Sequence, residues 1–194
     1  MRVIAGEARG RKLVAPRGEG TRPTADRARE GLFSSLQSFV DVEGARVLDL
    51  YAGSGAIGLD ALSRGAGQVT LVDDDPSAQK ALHRNVDAVG LPGVEIVADK
   101  VELFLGGLPT PYDVVVLDPP YELDVDPVLA AVLPWLAPDA VVVVERRTRG
   151  PAPAWPEGLD PVRTRKYGEA TLHYAILTSG AALTSGAVPT SGPA

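Results

Sequence analysis

The chain has 194 residues, 45% of them hydrophobic, with 19 basic and 25 acidic side chains and no cysteine. This length and composition fit one globular domain with short appendages, and the lack of Cys excludes a disulfide framework, a thiolate metal site and a Cys nucleophile. The longest apolar runs, such as Val114–Leu117 and Ala140–Val144, are too short to span a bilayer, and residues 1–7 lack the apolar core of a signal peptide, so no membrane partner and a soluble, cytoplasmic monomer are expected.

The net charge of −6 is unevenly placed. Residues 1–30 hold eight basic and four acidic groups, and the remainder holds 11 basic and 21 acidic. A basic arm on an acidic body suits local binding of a polyanion.

In chain order, residues 2–14 predict an extended pair, because Val3-Ile4 and Leu13-Val14 flank a Gly6 to Gly10 stretch able to turn. A helix is expected from Thr24, where Ala28, Leu32 and Leu36 form one apolar stripe, with Arg22, Arg27 and Arg29 off it and facing outward. Strands are expected at 46–51, 68–73, 94–98, 112–118 and 140–145, with helices at 55–65, 76–89, 99–106 and 125–136 between them. Continuous apolar strands alternating with helices predict an α/β fold whose mostly parallel sheet is buried on both faces. Residues 161–167 and 170–178 flank Gly168-Glu169 and read as an antiparallel hairpin closing the sheet. Residues 179–194 repeat Thr-Ser-Gly with too little bulk to bury, and predict a disordered tail. The expected organisation is thus a basic extension at 1–40, a catalytic domain at 41–178 and a tail at 179–194.

Two motifs carry chemistry. Asp49-Leu50-Tyr51-Ala52-Gly53-Ser54-Gly55 leads from a strand into a helix, and Gly53, Gly55 and Gly58 match G-x-G-x-x-G, a turn that lets backbone amides approach a nucleoside-containing ligand. Asp73, ending the second strand, can accept hydrogen bonds from both ribose hydroxyls, and Asp74 extends the acidic run. Asp75 suits a helix cap before Pro76. Asp49 just before the Gly turn would repel a pyrophosphate and suits a ligand with a cationic amino-acid end, such as S-adenosylmethionine. The second motif is Asp118-Pro119-Pro120-Tyr121, directly after the fourth strand. Two prolines remove two amide donors, so the loop offers a carboxylate and bare carbonyls beside an aromatic ring. That complements an exocyclic amine on a flat base: Asp118 and the Pro119 carbonyl accept the two N–H groups, and Tyr121 stacks.

Together these motifs resemble the class I S-adenosylmethionine-dependent amino-methyltransferases of DNA or RNA, which implies a Rossmann-like seven-stranded sheet. Arg2-Val3-Ile4-Ala5-Gly6, Gly10-Arg11-Lys12-Leu13, Arg22 to Glu30 and Asp60 to Ala66 resemble more closely the RsmD-type guanine-N2 methyltransferases of 16S ribosomal RNA, over roughly residues 2–178. The resemblance implies S-adenosylmethionine as cofactor, 16S rRNA or the assembling small subunit as partner, cofactor contacts at Asp49, Tyr51, Gly53, Ser54, Gly55 and Asp73, and catalysis at Asp118, Pro119, Pro120 and Tyr121. The family's adenine-contacting residue after the third strand falls on Asp99 or its neighbour. Arg9, Arg11, Lys12, Arg22 and Arg27 are the expected grip on the RNA backbone. A DNA adenine-N6 or cytosine-N4 methyltransferase is the alternative that D-P-P-Y permits, with a non-catalytic RNA-binding assembly factor as the second. A chain this short has no room for a separate DNA-recognition domain.

Overall fold

The computed structural model describes residues 1–17 and 23–178. The expected contact at Arg22 and the tail at 179–194 lie outside them. The elements are α1 (Pro23–Leu36), β1 (Arg46–Leu50), α2 (Ala56–Ser63), β2 (Gln68–Val72), α3 (Pro76–Val89), β3 (Val94–Val97), α4 (Val101–Leu105), β4 (Tyr112–Leu117), α5 (Asp126–Val132), β5 (Leu136–Arg147), β6 (Leu159–Tyr167) and β7 (Ala170–Leu177). The seven strands form one sheet in the order β3-β2-β1-β4-β5-β7-β6. Strands β1 to β5 pair in parallel, and β7 runs antiparallel to both β5 and β6. This is the expected Rossmann-like architecture with its closing hairpin.

Side-chain alternation along the strands divides the core into two layers. Leu48, Leu50, Val115, Leu117, Val142 and Val144 pack against α4 and α5, while Val47, Val69, Leu71, Val114, Val116, Val141 and Val143 pack against α1, α2 and α3. Helix α1 lies against β6 and β7 so closely that a Cβ on Gly31 would stand 2.0 Å from the Tyr167 hydroxyl. The Arg163 guanidinium sits over the Phe39 ring at 4.5 Å.

Several boundaries differ from expectation. The segment expected as one helix at 125–136 is α5 followed by a 3-10 turn over Leu133–Trp135, and β5 starts at Leu136, paired with Tyr112. The 2–14 pair is present as a short antiparallel pairing about the Arg2–Lys12 bridge, without extended strands. Backbone bonds across the pair run from Val3 N–H to Arg11 O (3.0 Å), Gly10 N–H to Val3 O (2.9 Å) and Leu13 N–H to Met1 O (3.1 Å), and side chains on α2 and α3 take further backbone groups. Ile4 N–H donates to Asp60 Oδ1 (2.7 Å), Ala8 N–H to Ser63 Oγ (2.9 Å) and Val14 N–H to Asn85 Oδ1 (2.8 Å). Val3, Ala8 and Leu13 form a small core with Ala56, Leu59 and Val89.

Arg29 corrects the expectation that it faces outward. It is 6% exposed; its Nε lies 2.6 Å from Asp60 Oδ2, and its Nη2 donates to the Arg2 carbonyl (2.7 Å) and to Asp26 (3.1 Å). Asp60 is fully buried and is the one charged residue of α2, and burial raises its pKa against the opposing pull of Arg29. Among the described residues no helix is long and apolar enough to cross a membrane.

Candidate active site

Strand order reverses at β1, whose neighbours β2 and β4 are reached by crossovers to opposite sides, and a ligand crevice opens outside the carboxyl ends of strands at such a point. Three hydrogen bonds stitch those ends together: Ala52 N–H to Val72 O (3.0 Å), Asp73 N–H to Val97 O (3.2 Å) and Asp118 N–H to Leu50 O (3.4 Å). The last places the two motifs side by side. The cleft between them has a volume of about 200 Å³ and is lined by Tyr51, Asp73, Asp74, Lys100, Val101, Glu102, Pro120 and Leu123.

The glycine turn is held from below and from one side. Gly53 and Gly55 have φ of 55° and 72°, and Tyr51 also takes a positive φ of 61°. A non-glycine residue there costs about 1–2 kcal/mol, which the surrounding bonds sustain. Asp73 accepts from Gly53 N–H through Oδ2 (2.8 Å) and from Asp75 N–H through Oδ1 (2.9 Å). Gln79 donates to the carbonyls of Asp73 and Val97, fixing the ends of β2 and β3. Asp75 caps α3, accepting from Ser77 and Ala78 N–H. Asn85, 1% exposed, donates to both the Ser54 and Val14 carbonyls, so the N-terminal segment and the glycine turn share one anchor.

Asp49 lies beneath the turn, 1% exposed, with Oδ2 accepting from Gly58 N–H at 2.9 Å. A Cβ on Gly58 would stand 2.4 Å from Leu71 Cδ2 and 3.3 Å from that same oxygen, so glycine lets α2 approach the strand. Burial, and to a lesser extent the nearby Asp73 carboxylate, pushes the Asp49 pKa up to about 7 despite the Gly58 bond. Tyr51 donates to Glu102 Oε1 at 3.3 Å, and burial together with that carboxylate raises its pKa above the usual phenol range.

Of the expected cofactor residues, Tyr51, Asp73 and Asp74 line the cleft. Asp49, Gly53, Ser54 and Gly55 lie outside its lining, and Asp99 accepts from the Lys100 N–H (2.8 Å) while its neighbours Lys100, Val101 and Glu102 face the cleft. Glu102 had no motif to mark it. The D-P-P-Y loop follows β4, with Pro120 in the cleft wall. Arg146, 6% exposed near the end of β5, donates to the carbonyls of Tyr121 (2.8 Å), Leu123 (3.0 Å) and Pro120 (3.5 Å). The exposed Arg147 guanidinium sits 4.7 Å above the Tyr121 ring.

The basic arm is placed unevenly. Arg9 and Lys12 are exposed. The Arg11 side chain donates to the Ala88 carbonyl in the last turn of α3 (2.8 Å), and the turn at 6–8 is bonded to Ser63, the last residue of α2. Both helices start by the carboxyl ends of the strands and end at the opposite edge of the sheet. The tip carrying Arg9 and Arg11 therefore lies away from the cleft. Arg27, in the first half of α1, is exposed.

This donor and acceptor set is anionic around a nucleoside-sized cleft. A buried carboxylate beneath the glycine turn fits a ligand's ammonium, and Asp73 and Asp74 fit a ribose diol.

A family model described as conserved hypothetical protein 95 matches residues 1–176. The chain is 35% identical over 172 residues to ribosomal RNA small subunit methyltransferase D of Escherichia coli K12, covering 87% of this chain and 86% of that protein. It is 36% identical over 152 residues to the protein of the same name from Haemophilus influenzae, covering 75% and 78%. Among solved structures, yhhF of Escherichia coli, described as a candidate methyltransferase, superposes with a TM-score of 0.81 at 30% identity over 92% of this chain and 98% of that one. Magnesium protoporphyrin IX methyltransferase from Synechocystis, solved with S-adenosylmethionine bound, shares the fold at a TM-score of 0.63 and 15% identity, over 83% and 87% of the two chains.

Proposed function

The chain belongs to the conserved hypothetical protein 95 family, that of the ribosomal RNA small subunit methyltransferases D, and from that premise we propose that it methylates the N2 amine of a guanine in 16S rRNA. It is an S-adenosylmethionine-dependent methyltransferase of ribosomal RNA. The observation that carries the finer reading is the junction of β1 and β4, where the carboxylates of the glycine turn and the acceptor-rich D-P-P-Y loop meet along one hydrogen bond, Asp118 N–H to Leu50 O.

S-adenosylmethionine supplies a methyl group already activated on a sulfonium, so the protein's task is placement. Well-oriented reactants can lower a barrier by about 7–11 kcal/mol. Asp49 holds the cofactor's ammonium, Asp73 and Asp74 its ribose, and Tyr51 with the Lys100–Glu102 segment flanks the remainder. Asp118 and the Pro119 carbonyl accept the two N–H groups of the guanine amine, orienting its lone pair. The Asp118 carboxylate stabilises the positive charge that grows on that nitrogen; no prior deprotonation is needed, and the surplus proton passes from the nitrogen to that carboxylate or to water after transfer. Tyr121 stacks on the base, which leaves its own stack at a cost of a few kcal/mol. Exposed arginines and lysines of the arm and α1 grip the backbone, with salt-dependent strength.

The test supplies tritiated S-adenosylmethionine to small subunits and free rRNA from cells lacking this protein, alongside unmethylated DNA. Label recovered as N2-methylguanosine at one rRNA position is the expected result. Label in DNA adenine or cytosine overturns the substrate assignment, and an Asp118→Ala variant that still transfers methyl overturns the residue's role.

A further inference from the structure

Two adjacent prolines leave the D-P-P-Y loop rich in carbonyls and poor in N–H donors, so its backbone has more acceptors than it can pair internally. Leu123 N–H donates to the Pro120 carbonyl within the loop (3.0 Å). A guanidinium has the opposite imbalance, five donors in a rigid plane and no acceptor. Arg146 brings such a group from the neighbouring strand, on the same face of β5 as Val144 and Val142, and is buried there.

We propose that Arg146 is the positioning residue of the acceptor loop: by binding the carbonyls of Pro120, Tyr121 and Leu123 it fixes the backbone that directly follows Asp118 and Pro119, the two residues assigned to the substrate amine. The three carbonyls it takes all lie after Pro119, and two of their residues, Pro120 and Leu123, line the cleft, so the guanidinium fixes the stretch of loop that forms the cleft wall beside Asp118. Arg146 does not touch the reacting atoms. Its contribution is the angle at which the amine is held, a geometry in which a misplacement of about 1 Å costs about 10²-fold in rate. Lysine, a compact charge on a flexible stem, cannot span three carbonyls in one plane.

This inference rests on the methyl-transfer reading, and its test separates the two. Arg146→Ala, Arg146→Lys and wild type are compared for single-turnover transfer to rRNA, calorimetric affinity for S-adenosylmethionine, and hydrogen exchange of the 121–123 amides. The expected result for R146A is a rate about 10²-fold lower, cofactor affinity changed far less, and faster exchange in the loop. Guanidinium at a non-denaturing concentration restores part of both rate and protection to R146A, and potassium at the same concentration does not. R146K falls between wild type and R146A, and carries the comparison alone if R146A fails to fold. The proposal is overturned if R146A keeps the wild-type rate, or if its rate falls while loop exchange stays unchanged and guanidinium restores nothing. A wild-type protein that methylates no RNA defeats the proposed function instead and leaves loop exchange, with and without guanidinium, to decide the role of Arg146.

Discussion

Replacing Asp49 by Asn makes the apo protein more stable and the cofactor site worse. The folded protein holds this carboxyl, 1% exposed, at a pKa of about 7, against an ordinary 3.8, because burial disfavours its ionised form. A group raised in this way binds its proton more tightly in the folded chain. Its contribution to stability is therefore intact below pH 4, falls as pH rises from about 4 to about 7, and stays low above that. At about 1.4 kcal/mol per pH unit, the ionised carboxylate costs the apo fold about 4 kcal/mol at pH 8. Asn can still accept from Gly58 N–H, but a neutral bond is weaker than a charged one by about 1 kcal/mol. D49N should thus be about 2–3 kcal/mol more stable than wild type in urea at pH 8, and no more stable at pH 4. Calorimetry should show S-adenosylmethionine binding weakened about 10- to 100-fold, as loss of a charge-assisted bond implies. In wild type the bound ammonium favours the carboxylate, so binding should strengthen as pH rises through 7 and release a proton. Equal stability of the two proteins at pH 8, or undiminished cofactor affinity in D49N, would refute the assignment of Asp49 as a charge held in readiness for a cation.

Arg29→Ala strands the fully buried Asp60 carboxylate and should cost about 3–5 kcal/mol in chemical denaturation, whereas the apolar pair Arg29→Met with Asp60→Leu recovers most of that. Gly31→Ala drives a methyl into the Tyr167 hydroxyl and should lower stability by about 1–3 kcal/mol, a loss that Tyr167→Leu in the same chain relieves. For RNA, Lys12→Ala and Arg27→Ala should each reduce the slope of log affinity against log salt by about one. Arg11→Ala should act differently, reducing thermal stability, because its guanidinium is already committed to the Ala88 carbonyl.

The sheet was legible because β1, β4 and β5 are buried on both faces and so read as unbroken apolar runs, such as Val141 to Val144. Asp75-Pro76 was legible as a cap because the bonds involved span only two or three residues. Arg29 was misread for a definite reason. The Ala28-Leu32-Leu36 stripe identifies one buried side of α1, but periodicity is blind to the second cover that the N-terminal segment and α2 lay over the adjacent side. Asp60, the one charged residue in Ala56–Ser63, was the signal that a buried cation was needed. The 2–14 pair was legible from its flanking apolar residues and Gly turn, whereas its docking was not, because Ile4, Ala8 and Val14 bond Asp60, Ser63 and Asn85, partners more than fifty residues away. The same holds for Arg146, whose acceptors are carbonyls of another loop, a relation that no spacing within the sequence encodes.

The anchoring of Val14 by Asn85, 71 residues downstream, has a consequence for how the chain is made. Ribosomes add about 5–20 residues per second, so Val14 is synthesised roughly 4–14 s before its anchor. During that interval Val3, Ala8 and Leu13 have no core to enter, and their cationic neighbours Arg9, Arg11 and Lys12 keep the nascent stretch soluble. Docking can begin only when α2 and α3 are complete, so the earliest-made residues of this segment are among the later ones to find their places.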